Sequence, residues 1–118
     1  MLIVSSIEGT FYVIEDPDNA GPQLQIGNVS SILCNNGPRG VLGFVVHPDF
    51  LTQPHIYMYY TLITPDCPAD AILGPSQRLS RFTIDTITLQ LDINSEIVFL
   101  ETPPQYVYIC WRSHCDWK

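Results

Sequence analysis

The sequence predicts an all-β domain. Short runs rich in Val, Ile, Phe, Tyr and Thr recur along the chain, and clusters of Gly, Pro, Asn and Asp punctuate them. No segment sustains a helical period with capping residues at its ends.

The first two runs are Leu2 to Ser6 and Thr10 to Glu15. The connection Ile7-Glu8-Gly9 is short and contains glycine, which predicts a hairpin turn. Asp16-Pro17-Asp18-Asn19-Ala20-Gly21-Pro22 then concentrates turn formers and predicts a loop. Proline there fixes φ, glycine frees it, and Asp and Asn hydrogen-bond nearby backbone. Leu24 to Ile26 and Ser30 to Leu33 are weak runs, whereas Val41 to His47 and His55 to Thr61 are strong. Val41 to Val46 has no polar side chain, so it predicts a strand covered on both faces. Between the strong runs, His47-Pro48-Asp49-Phe50 and Gln53-Pro54 form a turn, because proline lacks the N–H that a central strand requires.

Leu62 to Ser76 holds Pro65, Pro68, Gly74 and Pro75 and predicts a surface loop. In the next run, Leu79 to Asp85, the residues Leu79, Arg81, Thr83 and Asp85 alternate with Ser80, Phe82 and Ile84. Glu96 to Glu101 is a further strand, and Tyr106 to Trp111, after Pro103-Pro104, is a candidate for one more.

At 118 residues, with 46% hydrophobic and 14% charged content, the chain suits one folded domain rather than a disordered segment. A net charge of −7 with only five Lys and Arg excludes nucleic acid as a partner, since phosphate binding needs clustered cations. The N-terminus has no basic region ahead of an apolar run, so no signal peptide is expected. No apolar stretch is long enough for a membrane span. Asn28-Val29-Ser30 is a glycosylation sequon. Cys34, Cys67, Cys110 and Cys115 permit three disulfide pairings that sequence does not rank, and their spacing does not match a zinc site.

Five motifs stand in one order: Gly40-Val41-Leu42-Gly43, His47-Pro48-Asp49-Phe50, the tyrosine-rich Ile56 to Thr61, Arg78-Leu79-Ser80-Arg81-Phe82-Thr83, and Glu96-Ile97-Val98-Phe99-Leu100-Glu101. In that order they resemble the glucose/sorbosone dehydrogenase family over roughly residues 37 to 101, with Leu2 to Ile14 fitting the preceding hairpin. The resemblance implies a partial β-propeller at 1–105, followed by a divergent tail at 106–118. Propellers carry four to eight four-stranded blades of roughly 40–45 residues. The chain would then supply two to three blades of a six-bladed parent.

The resemblance also implies a function. Family enzymes oxidise a sugar hydroxyl using pyrroloquinoline quinone and calcium, and an extracellular or periplasmic location goes with that activity. By position, His114 corresponds to the general base that takes the hydroxyl proton while hydride passes to the quinone. A neutral imidazole near pH 7 suits that role. Two positions depart from the family pattern. Cys115-Asp116-Trp117 replaces the glycines after the base, and Pro38 occupies the place of a Gln or Glu that contacts the quinone in some members. These departures favour a second reading, a non-catalytic binding module like the propeller of hedgehog-interacting proteins, with a protein as partner.

Other residues read more simply. His47 invites a catalytic role, but His-Pro-Asp at a strand end is better explained as a turn whose side chains bond loop backbone. His55 is expected to face solvent. Arg78 and Arg81 are three apart in a strand and project to opposite faces, so a shared anion clamp is excluded and an ion pair for one of them is expected. Asp66, Asp70 and Glu101 lack calcium-loop spacing. Tyr57, Tyr59 and Tyr60 read as packing aromatics rather than a sugar-stacking platform.

Overall fold

The computed structural model describes residues 1–35, 39–63, 67 and 76–102. The candidate strand at Tyr106 to Trp111 and most of the Leu62 to Ser76 loop lie outside the described residues. Within them the chain is all-β, as the sequence predicts, and its helical pieces are two three-residue 3-10 turns, Pro17–Asn19 and Ser30–Ile32. The strands are β1 (Leu2–Ser5), β2 (Thr10–Ile14), β3 (Gln23–Asn28), β4 (Val41–Val46), β5 (His55–Thr61), β6 (Gln77–Asp85) and β7 (Gln90–Glu101). They form two open antiparallel sheets with neighbours in chain order, β1-β2-β3 and β4-β5-β6-β7.

Local chemistry sets each connection. In the first hairpin the Gly9 N–H donates to the Ser6 carbonyl, and Leu2 to Ser5 pair with Ile14 to Phe11. The His47 turn closes on the Asp49 carbonyl, which accepts from the N–H groups of Thr52 and Gln53. The β6–β7 turn is capped by Asp85 Oδ1, which accepts from the Ile87 and Thr88 N–H groups at 2.8 and 3.3 Å.

That turn makes β7 twelve residues long, twice the stretch expected from Glu96 to Glu101. The added residues carry a register break opposite Arg81 and Thr83, where the Ser95 hydroxyl accepts the Thr83 N–H. Polar Asp92, Asn94 and Ser95 hide this half of the strand from a reading based on β-formers.

One core joins the sheets. Phe11, Val13 and Ile26 of the first sheet meet Ile56, Met58, Tyr60, Phe82 and Ile84 of the second, with Val29 and Leu33 from the connector. Phe11 and Phe44 cross edge to face at 5.3 Å between ring centres, a favoured aromatic geometry. The connector itself is clamped. The Cys34 N–H donates to the Thr61 carbonyl, the Ile63 N–H donates to the Ile32 carbonyl, and Cys34 is disulfide-bonded to Cys67. The bond gives Cys34 the partner that the sequence left open.

The expectation for β4 is corrected. Its inward side packs on the core through Phe44, but Leu42 and Val45 on the strand are 42% and 64% exposed. As the edge strand of a two-layer structure it is covered on one face only. An uninterrupted apolar run is therefore not proof of burial on both sides.

Candidate functional site

Two clusters of polar and aromatic side chains lie on opposite faces of the second sheet. They follow from strand alternation. On β5, Ile56, Met58 and Tyr60 point into the core while His55, Tyr57 and Tyr59 are half-buried on the other side. On β6, Ser80, Phe82 and Ile84 point inward while Leu79, Arg81 and Thr83 face outward.

The inward cluster centres on Glu96. Tyr60, fully buried, donates its hydroxyl to Glu96 Oε2, and the Ser80 hydroxyl donates to the same oxygen at 2.7 Å. Arg78 NH1 lies 3.5 Å from Glu96 Oε1, and its Nε and NH2 reach Glu101 Oε1 at 2.6 and 2.5 Å. One carboxylate thus ties β5, β6 and β7 together at one end of the core. Arg78 takes the ion pair expected for one of the two arginines, and Arg81 lies on the opposite face. Burial, followed by the hydrogen bond to Glu96, pushes the Tyr60 hydroxyl up to about 12. Tyr60 is therefore a fixed donor at neutral pH and not an acid or base. Desolvation works against the Arg78 charge, but the bonds to Glu101 and Tyr60 outweigh it and raise its pKa.

This cluster predicts an alkaline transition. The unfolded tyrosine ionises near 10 and the folded one near 12, so between these values the unfolded state binds fewer protons. The contribution is complete below pH 10 and is lost as pH rises towards 12, to the extent of roughly 2–3 kcal/mol. Urea unfolding from pH 8 upward is expected to show this loss, and Tyr60→Phe is expected to remove that part of the slope. An unchanged slope in the variant would assign the alkaline loss to other groups.

The outward cluster contains His47, His55, Tyr57, Arg81 and Phe99. The His47 ring centre lies 6.2 Å from both His55 and Tyr57, and Tyr57 stacks on Phe99 at 6.0 Å. His47 Nδ1 accepts the Asp49 N–H at 3.0 Å, which is the turn role expected of it. His55 differs from expectation. It is half-buried, and its Nδ1 shares a hydrogen bond with Thr83 Oγ1 at 3.1 Å, because the register sets these two residues opposite each other. Desolvation, then the charges of Arg81 and His47, lower its pKa, so its imidazole is neutral at physiological pH. Arg81 makes no ion pair among the described residues, and its Nε is buried without an acceptor.

His114 and Pro38 lie outside the described residues, as do Cys110, Cys115, Asp66 and Asp70. Among the described residues no three His, Cys, Asp or Glu side chains converge as a metal site, so these residues do not fit the calcium that the resemblance implies. Arg78, which could pair with an anionic quinone, is already committed to Glu96 and Glu101. No step is derived through either group. No helix among the described residues is long and apolar enough to cross a membrane.

The Glu96 cluster was not anticipated from sequence, although a signal was present. Tyr60 and Ser80 occupy the inward parity of strands whose other inward residues are Ile56, Met58, Phe82 and Ile84. A polar group at such a position requires a buried partner. Comparison of the chain with protein-family models and with curated proteins found no match to either.

Proposed function

We propose that this chain is a portion of a quinone-dependent sugar dehydrogenase of the glucose/sorbosone type. The ordered set of motifs from Gly40 to Glu101 carries the reading. Pyrroloquinoline quinone, where the parent enzyme binds it, would supply the hydride acceptor for the sugar carbon bearing the hydroxyl. His114, as general base, takes the hydroxyl proton on an imidazole nitrogen.

Two structural observations support it. The tyrosine-rich and Arg-Leu-Ser-Arg-Phe-Thr runs are adjacent strands of one four-stranded antiparallel meander, the form of a propeller blade. Glu96 of the following motif bonds Tyr60 and Ser80 of those two, which gives the three motifs a physical reason to occur together. The Cys34–Cys67 disulfide supports an oxidising compartment, in keeping with an extracellular or periplasmic enzyme.

Titration of the purified chain with pyrroloquinoline quinone and Ca2+, followed by dye-linked oxidation of glucose, tests the reading. In the family the residues that clamp the quinone and its calcium come from later blades, so weak or no binding is expected of the chain alone; saturable binding and oxidation are expected when those blades are supplied, with His114→Gln abolishing oxidation but not binding. Absence of both binding and oxidation with those blades supplied removes the catalytic reading for this chain. Pro38 at the quinone-contact position favours the second reading, a binding module that engages a protein. That module would fold without quinone affinity.

A further inference from the structure

Asn28-Val29-Ser30 is the only Asn-X-Ser/Thr triplet in the chain, and it takes no part in either cluster of the second sheet. Asn28 ends β3, and Ser30 opens the second 3-10 turn. Across the sheet Asn28 pairs with Thr10, the neighbour of the core residue Phe11. Directly opposed residues share a face and successive residues alternate, so Asn28 projects away from the core. Asn28 and Ser30 are both exposed, whereas Val29 between them is fully buried and donates its N–H to the Gly9 carbonyl at 2.8 Å. The buried valine anchors the triplet and leaves its two polar residues in water.

The Asn28 side chain is also oriented. Its Oδ1 accepts the Ser30 N–H at 2.9 Å, an Asx turn. Only the carbonyl oxygen of the amide can accept a proton, so this bond fixes which way the amide is turned. Its Nδ2 and the Ser30 hydroxyl make no hydrogen bond among the described residues. An N-glycan acceptor must offer an amide nitrogen and a hydroxyl two residues on, and both are free on this surface. The Cys34–Cys67 disulfide is an independent observation. It supports an oxidising compartment, and the secretory lumen, where such bonds form, is also where these triplets are modified.

We propose that Asn28 is the attachment site of an N-linked glycan. In the transfer, Nδ2 forms a bond to the anomeric carbon of a polyprenyl-diphosphate-linked oligosaccharide. The bond from that carbon to the diphosphate oxygen breaks, the diphosphate leaves with the electron pair, and one amide proton passes to a base of the transferase. No oxidant or reductant takes part. A glycan is bulky and hydrated, so the folded chain must leave its asparagine in water. The end of β3 meets that condition without displacing a core side chain. The proposal commits the chain to the secretory lumen rather than the periplasm, and it does not depend on the dehydrogenase reading.

Expression of the full chain behind a cleavable secretion leader in a eukaryotic host tests it. Intact mass is measured on pooled cells and medium, before and after treatment with peptide N-glycosidase. Wild type is expected to carry a single glycan-sized increment that the enzyme removes completely, leaving an aspartate at the acceptor position. Asn28→Gln and Ser30→Ala are each expected to abolish the increment, and Ser30→Thr to keep it.

Ser30→Ala is the decisive variant. The Asx turn uses only the Ser30 backbone N–H, so this substitution removes the hydroxyl and leaves the turn in place, with circular dichroism confirming the fold. A wild type without the increment would overturn the proposal. So would an increment that survives Asn28→Gln or Ser30→Ala.

Discussion

Gly40→Ala is expected to destabilise the chain by more than about 3 kcal/mol, while Gly43→Ala, three positions along the same motif, is expected to be neutral or stabilising by about 0.5 kcal/mol. Gly40 has φ of +130°, and a Cβ there would lie 2.2 Å from the Ile7 carbonyl oxygen. That oxygen accepts the Val41 N–H at 3.0 Å, and the Gly40 carbonyl accepts the Thr61 N–H at 2.9 Å. A methyl group would therefore push apart the first hairpin and the start of β4 at the joint between the two sheets. A Cβ on Gly43 meets nothing within 4 Å. Urea unfolding of both variants checks the contrast, and a Gly40→Ala midpoint close to wild type would mean that the joint is not as described.

Reducing the Cys34–Cys67 disulfide is expected to cost about 3–4 kcal/mol, the loop-closure value for a span of this length. The bonded residues are 33 apart, and the loop between them includes β4 and β5. Cys34 is fully buried whereas Cys67 is half-buried, so a reductant is expected to attack at the Cys67 sulfur. Thermal unfolding with and without dithiothreitol, compared with the Cys34→Ser/Cys67→Ser variant, measures the effect. Peptide mapping under non-reducing conditions checks the pairing. Unchanged unfolding on reduction would place the stability of the connector in the Leu33–Leu62 bridge and its backbone hydrogen bonds instead.

Both effects concern the same region, the passage between the sheets. The passage is thin: a connector, a turn and one disulfide hold together two layers that otherwise meet through apolar side chains and a hydrogen bond from the Gln90 amide to the Gln25 carbonyl. Backbone strain and a covalent link therefore have more influence there than a single core methyl group would elsewhere.

Most of the strand pattern could be read from residue order. β-branched and aromatic runs bounded by Gly and Pro located β1, β2, β4, β5 and β6, because propensity and turn chemistry are local properties. The opposed projection of Arg78 and Arg81, the ion pair of one of them and the turn role of His47 followed from the two-residue period of a strand and from the short reach of a turn side chain. β3 and the first half of β7 were weak or missing in sequence because their polar residues are tolerated by a register set elsewhere. Tertiary structure alone decided the rest. It chose Cys67 for Cys34, left one side of β4 exposed, gave Gly40 and Gly43 opposite importance within one motif, and brought Glu96 to Tyr60 and Ser80. Each of these depends on residues distant in sequence becoming neighbours. A local pattern specifies which way a side chain points, whereas only the packed chain specifies what it meets.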